Sequence, residues 1–128
     1  MPHNPAKLLQ DVVDAGEAIR SFVAGKDLAD FQGDLLLRSG VERQFEIAGE
    51  ALRRLEATSP SLTRLIHDFP KILAFRNIIA HGYDVLDPAI VWDVAQRDLP
   101  RLLERAQEML EELGNSGHSP GPIQCGPL

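Results

Sequence analysis

Apolar residues recur along this chain at intervals of three and four, and no stretch alternates long enough to argue a half-buried strand. The first periodic segment spans residues 5 to 24. It places Leu8, Leu9, Val12, Ala15, Ile19, Phe22 and Val23 on one face, with Gly25 as its stop. A second helix is expected from the capping residue Asp27 to about residue 57, with room for a bend. Its later part is the clearest amphipathic segment of the chain. Val41, Phe45, Ala48, Leu52 and Leu55 form a narrow stripe suited to a core or a helix–helix seam. Arg43, Glu46, Glu50, Arg53 and Arg54 lie opposite and read as a solvated face, with Glu50 and Arg54 paired one turn apart. Gly33, Gly40 and Gly49 each cost a helix interior about 1 kcal/mol relative to alanine. Gly33 and Gly40 share a face, so close approach of another helix or a bend would offset the cost, and the sequence favours neither.

Thr58-Ser59-Pro60-Ser61 reads as a loop and residues 62–68 as a short helical piece. Phe69-Pro70 then starts a third main helix that ends near Gly82. Asp87-Pro88 opens the last helix, which carries Ile90, Val91, Val94, Leu99, Leu102, Leu103, Ala106, Leu110 and Leu113. Pro100 predicts a kink or break just before it. From Gly114 onward the periodicity stops. The pattern predicts an all-α, up-and-down bundle of four to five helices over residues 1–113, followed by a disordered tail over 114–128.

Composition agrees with one globular domain: 128 residues, 44% hydrophobic and 25% charged. No apolar run is long enough to span a membrane. The first residues lack the layout of a signal peptide, and the single Cys125 cannot form an internal disulfide, so a cytoplasmic location is expected. The net charge is −6, with the acidic excess divided evenly between the two halves of the chain. Neither half is therefore a basic nucleic-acid module. Chemistry on nucleic acid would need a small local site, and a dimer that doubles a few arginines is one way to build it. His3, His67, His81 and His118 are too scattered for a local zinc-ligand pair. Phosphate-binding glycine loops, dinucleotide fingerprints and nucleophile elbows do not occur, so neither a metal nor a cofactor is expected.

One segment stands apart: Phe75-Arg76-Asn77-Ile78-Ile79-Ala80-His81-Gly82-Tyr83. On a helical wheel at about 100° per residue, Arg76, Asn77, His81 and Tyr83 gather on one side. Ile72, Phe75, Ile78 and Ile79 fill the other, as a face that packs inward. Asn77 and His81 are one turn apart, so the amide can orient the imidazole. His81 can move a proton near neutral pH, and Arg76 can hold a phosphate with its planar fork. A histidine and an arginine are a minimal set for cleaving RNA without a metal, because the 2′-hydroxyl supplies the nucleophile. The same residues beside Gly82 also suit a capped surface helix.

The pattern Arg76-x4-His81 resembles the signature of HEPN domains. The fuller Arg76-Asn77-x3-His81-x-Tyr83 resembles, more narrowly, the HepT-like toxins. Ile47-Ala48-Gly49-Glu50-Ala51 is similar to the I-x-G-E-A stretch on that family's second helix. Asp87-Pro88-Ala89-Ile90-Val91-Trp92 and Asp98-Leu99-Pro100-Arg101-Leu102 are similar to its fourth. The resemblance covers roughly residues 5 to 113. It implies an all-α homodimer whose motifs lie in a cleft between protomers. It further implies a metal-independent ribonuclease toxin encoded beside a minimal nucleotidyltransferase antitoxin that transfers AMP to the motif tyrosine. Arg76 and His81 would then be catalytic, Asn77 and Glu50 supporting, and Tyr83 the modified residue. In one departure from many relatives, Pro70 is followed by Lys71 and Ile72 rather than by a nearby tryptophan. The alternative reading is a non-catalytic helical dimer that scaffolds a nucleotidyltransferase or is its substrate.

Overall fold

The computed structural model describes residues 4–67, 69–81 and 87–117, with the backbone alone at 80, 81 and 115–117. Among the described residues every element is helical: α1 (Pro5–Val23), α2 (Leu28–Gly33), α3 (Leu35–Thr58), α4 (Pro60–Thr63), α5 (Phe69–His81), α6 (Pro88–Asp93), a π-helical turn (Val94–Asp98) and α7 (Leu99–Gly117). None is long and apolar enough to cross a membrane.

Local chemistry sets most boundaries. The Asn4 side chain accepts a hydrogen bond from the Ala6 amide at 2.8 Å, and Pro5 occupies the first turn of α1. Gly25, at φ 74°, takes the left-handed conformation that turns the chain after α1. Asp27 and Asp30 form a reciprocal capping box at the start of α2.

The long second helix expected from 27 to 57 is two helices. The chain breaks at Asp34, which is extended and caps α3 by accepting from the Leu37 amide at 3.1 Å. Gly33 has open space where a Cβ would stand, so it serves the break rather than a close approach. Gly40 lies in ordinary contact with the Phe22 ring. The short helical piece falls at Pro60–Thr63, earlier than its sequence suggested. Pro100 lacks the amide needed to continue an α-helical ladder, and the preceding turn widens to a π-helix at Val94–Asp98. α7 continues as helix through Gly117, beyond the last periodic residue, Leu113.

α1 packs against both α3 and α7, and α3 against α5. The core takes Leu8, Leu9, Val12 and Ile19 from α1, the stripe Val41, Phe45, Ala48, Leu52 and Leu55 from α3, and Leu99, Leu103 and Met109 from α7. Phe22, Ile78 and Ile90, expected to face inward, are exposed. Two contacts place α5. Phe75 meets Phe45 edge-on with ring centroids 5.2 Å apart, a geometry that contributes about 0.5–1.5 kcal/mol beyond burial. At its first turn, Lys71 Nζ lies 3.3 Å from the buried Asp98 carboxylate of the π-helical turn.

Candidate functional site

The face of α3 that looked merely solvated carries a knot of charge. The Glu50 carboxylate accepts from three arginines. Arg53 donates Nε to Oε1 at 3.0 Å and Nη2 to Oε2 at 2.7 Å. Arg54 donates Nε to Oε2 at 3.0 Å, the pair expected one turn apart. Arg76 reaches across from α5 and donates Nη2 to Oε1 at 2.8 Å. These donors favour the charged form. Led by the Arg53 hydrogen bonds, they pull the Glu50 carboxyl down from its ordinary value of 4.5 to about 2.

Arg76 does not lie on a solvent face, as the wheel placed it. Its side chain is only 21% exposed. Its stem crosses α3 directly over Gly49, where an added Cβ would stand 2.0 Å from Arg76 Cγ and 2.3 Å from its Cβ. Glycine is thus the residue that lets the two helices meet this closely. Arg76 Nη1 donates to Asn77 Oδ1 at 3.1 Å. Asn77, proposed from spacing to orient His81, is in this arrangement a partner of the arginine. Arg76 Nε is buried without a hydrogen-bond partner among the described residues. An orphaned buried donor costs about 1–3 kcal/mol, so this is a position where packing is not optimised for stability.

A guanidinium carries five N–H donors. Glu50 and Asn77 use two and Nε is enclosed, which leaves one N–H on each terminal nitrogen. The fork is therefore held in place and still able to grip an anion. It borders a cleft of about 270 Å³ lined also by Leu8 and Asp11 of α1 and by Arg43, Glu46 and Ile47 of α3.

His81 is the last residue of α5, five positions after Arg76; its backbone is helical and its side chain is not described. Tyr83 lies outside the described residues. The structure therefore brings Arg76, Asn77 and Glu50 together. Arg53 and Gly49 belong to the same site, although neither stood out as functional in the sequence. The available signal was Gly49 itself: a helix-weakening residue in the middle of the strongest amphipathic stripe, next to an acid. Among the described residues no three metal-ligating side chains come together.

Comparison with known proteins adds to this geometry. The family model described as "Ribonuclease HepT-like" matches residues 12–109. A "Gamma-glutamylcyclotransferase and putative RNase" of Methanocaldococcus jannaschii is 28% identical over 105 residues, which cover 82% of this chain and 47% of that protein. The chain thus spans about half the length of that relative. A second protein of the same organism, named "Putative RNase", is 24% identical over 104 residues, covering 77% of this chain and 90% of the relative. A "Putative RNase" of Caldanaerobacter subterraneus subsp. tengcongensis is 26% identical over 111 residues, covering 84% and 96%. No solved structure matches the chain significantly.

Proposed function

The chain belongs to the HepT-like ribonuclease family, and from that premise we propose that it is a metal-independent endoribonuclease in which Arg76 and His81 do the chemistry. The observation that carries the reading is the fixed guanidinium. Arg76 is pinned by Glu50 at 2.8 Å across Gly49, at the edge of an open cleft and on the helix that ends at His81. Arg76 holds the scissile phosphate and offsets the charge that builds on its oxygens. Imidazole takes the 2′-hydroxyl proton as the 2′-oxygen bonds to phosphorus. The bond to the 5′-oxygen breaks, and that oxygen receives a proton from an imidazolium. The product is a 2′,3′-cyclic phosphate and a free 5′-hydroxyl.

One chain of net charge −6 brings one Arg76 and one His81 to a polyanion. A homodimer that faces two motifs across one cleft supplies both acid and base, and light scattering at micromolar concentration should show twice 14.1 kDa. Purified protein given RNA in EDTA should cleave it, and His81→Ala should lose the activity. Equal cleavage by both proteins would mean contamination and leave a non-catalytic scaffold as the better reading.

The same reading makes the protein the toxin of a pair, silenced by a minimal nucleotidyltransferase that attaches AMP to Tyr83. A phosphate placed beside Arg76 and His81 would occupy the site meant for RNA and repel its backbone. Tyr83→Phe keeps the ring and removes the acceptor oxygen. It should stay toxic when co-expressed with the transferase, while the wild type gains mass in AMP units. Suppressed toxicity at unchanged wild-type mass would point to inhibition by complex formation instead.

A further inference from the structure

The cleft beside Arg76 is lined by two further arginines that the proposed chemistry does not use, Arg54, which is bound to Glu50, and Arg43. Arg43 lies two turns before Glu50 on α3, about 10.5 Å along the axis, and it lines the same cleft. It is exposed, and no ion pair or hydrogen bond engages it among the described residues. Its neighbours on the helix differ. Arg38 donates to the Phe31 and Gln32 carbonyls, while Arg53 and Arg54 are committed to Glu50.

Two of the three lining carboxylates are already covered, Asp11 by Lys7 and Glu50 by its three arginines. The third, Glu46, stands one turn from Arg43 and forms no ion pair with it. The half-buried Ile47 and the buried Ala51 add aliphatic surface to the same cleft. Guanidinium groups and aliphatic surface lining one cleft suit a nucleotide unit: phosphates at the cations, and a ribose or base against the aliphatic side chains.

We propose that Arg43 and Arg76 bracket one nucleotide of an RNA strand in this cleft, with Arg43 holding the phosphodiester next to the one that Arg76 serves. The assignment rests on the ribonuclease reading for its substrate but can be tested without cleavage. Arg43 acts on binding alone, whereas Arg76 acts on the reacting phosphate. Glu46 opposes the incoming strand from one turn away, so its neutralisation should tighten binding.

The probe is a single-stranded DNA oligonucleotide, which lacks the 2′-hydroxyl and stays intact. Its affinity is followed by fluorescence anisotropy as salt is varied. For single strands, each phosphate contact contributes a slope of about −0.7 in log K against log salt. Arg43→Ala should reduce the slope by about that amount and weaken binding about ten-fold, the loss expected for one charge-assisted contact. Arg43→Lys should keep the slope, and Glu46→Gln should bind more tightly than wild type. With RNA, Arg43→Ala should raise KM by a similar factor and leave kcat within two-fold. A slope and KM identical to wild type in Arg43→Ala would overturn the assignment and leave the ribonuclease reading intact. So would an altered oligomeric state at an unchanged slope, which would make Arg43 an interface residue. The expected slope change in a protein that cuts no RNA would sink the ribonuclease reading and keep Arg43 as a phosphate contact.

Discussion

Gly49→Ala should cut RNA cleavage about 100-fold while leaving the protein helical. On an exposed helix surface, replacing this glycine would add about 1 kcal/mol of stability through helix propensity. Here the new Cβ would stand 2.0 Å from Arg76 Cγ and 2.3 Å from Arg76 Cβ. Rotating Arg76 can move Cγ but not Cβ, because Cβ is fixed by the backbone of α5. The helices must therefore separate, and overpacking of this kind costs about 1–3 kcal/mol. The larger effect is on geometry. Separation lengthens the Arg76–Glu50 contact and turns the fork away from the cleft, and a displacement of about 1 Å at a reacting group can cost roughly 100-fold in rate. Gly16→Ala is the matched control. Its Cβ would press on Leu103 Cδ2 at 2.4 Å in the α1–α7 contact, so it should lower the thermal midpoint without a comparable loss of cleavage. A Gly49→Ala protein with wild-type stability and activity would show that the close crossing has no functional role.

Removing Arg76 should cost less stability than Gly49→Ala, with a loss of cleavage of about 100- to 1,000-fold, the range for one transition-state donor. Breaking an ion pair from one side is damaging when the remaining charge is stranded. Glu50 is not stranded, because Arg53 and Arg54 still hold it at 2.7 and 3.0 Å. Arg76→Lys should do no better than Arg76→Ala. Lysine keeps the charge but cannot bond Glu50 and Asn77 and still present two parallel donors to a phosphate. Near-wild-type cleavage by the lysine variant would mean that only charge matters at this position.

The pH dependence separates the two partners of the site. With its carboxyl lowered to about 2 from 4.5, Glu50 contributes stability that is complete above the ordinary value and is lost as the pH falls toward 2. Between pH 5 and 9 its charge does not change, so any titration of activity in that window belongs to another group. Glu50→Gln should lower the rate across the window and leave the shape of the profile unaltered. A profile whose acid limb disappears in Glu50→Gln would contradict the positioning role.

Much of this molecule was legible along the chain because the deciding interactions are local. The three-and-four spacing of Val41, Phe45, Ala48, Leu52 and Leu55 marked a buried stripe, and all five are buried. Asp87-Pro88 and Phe69-Pro70 marked helix starts, and α6 and α5 begin there. A cap or an apolar face is set by residues within a few positions of one another, so a periodic sequence carries it. Where several local choices were nearly equal, as at Gly33 and Asp34, the break could not be told from a bend. The polar face of α5 was legible as a set of residue types but not as a geometry. A wheel treats a helix as isolated, and it put Arg76 and Asn77 in solvent and Ile78 in the core. Tertiary packing reversed the arginine and the isoleucine: α3 offers Arg76 a bare backbone at Gly49 and a carboxylate at Glu50, whereas Ile78 stays about half exposed among the described residues. The sequence by itself determined the helical bundle and marked the residue types of the polar face of α5. Only the tertiary structure decided that Glu50, 26 positions away from Arg76, holds the guanidinium, because that contact depends on the distance between two helices, which no local pattern encodes.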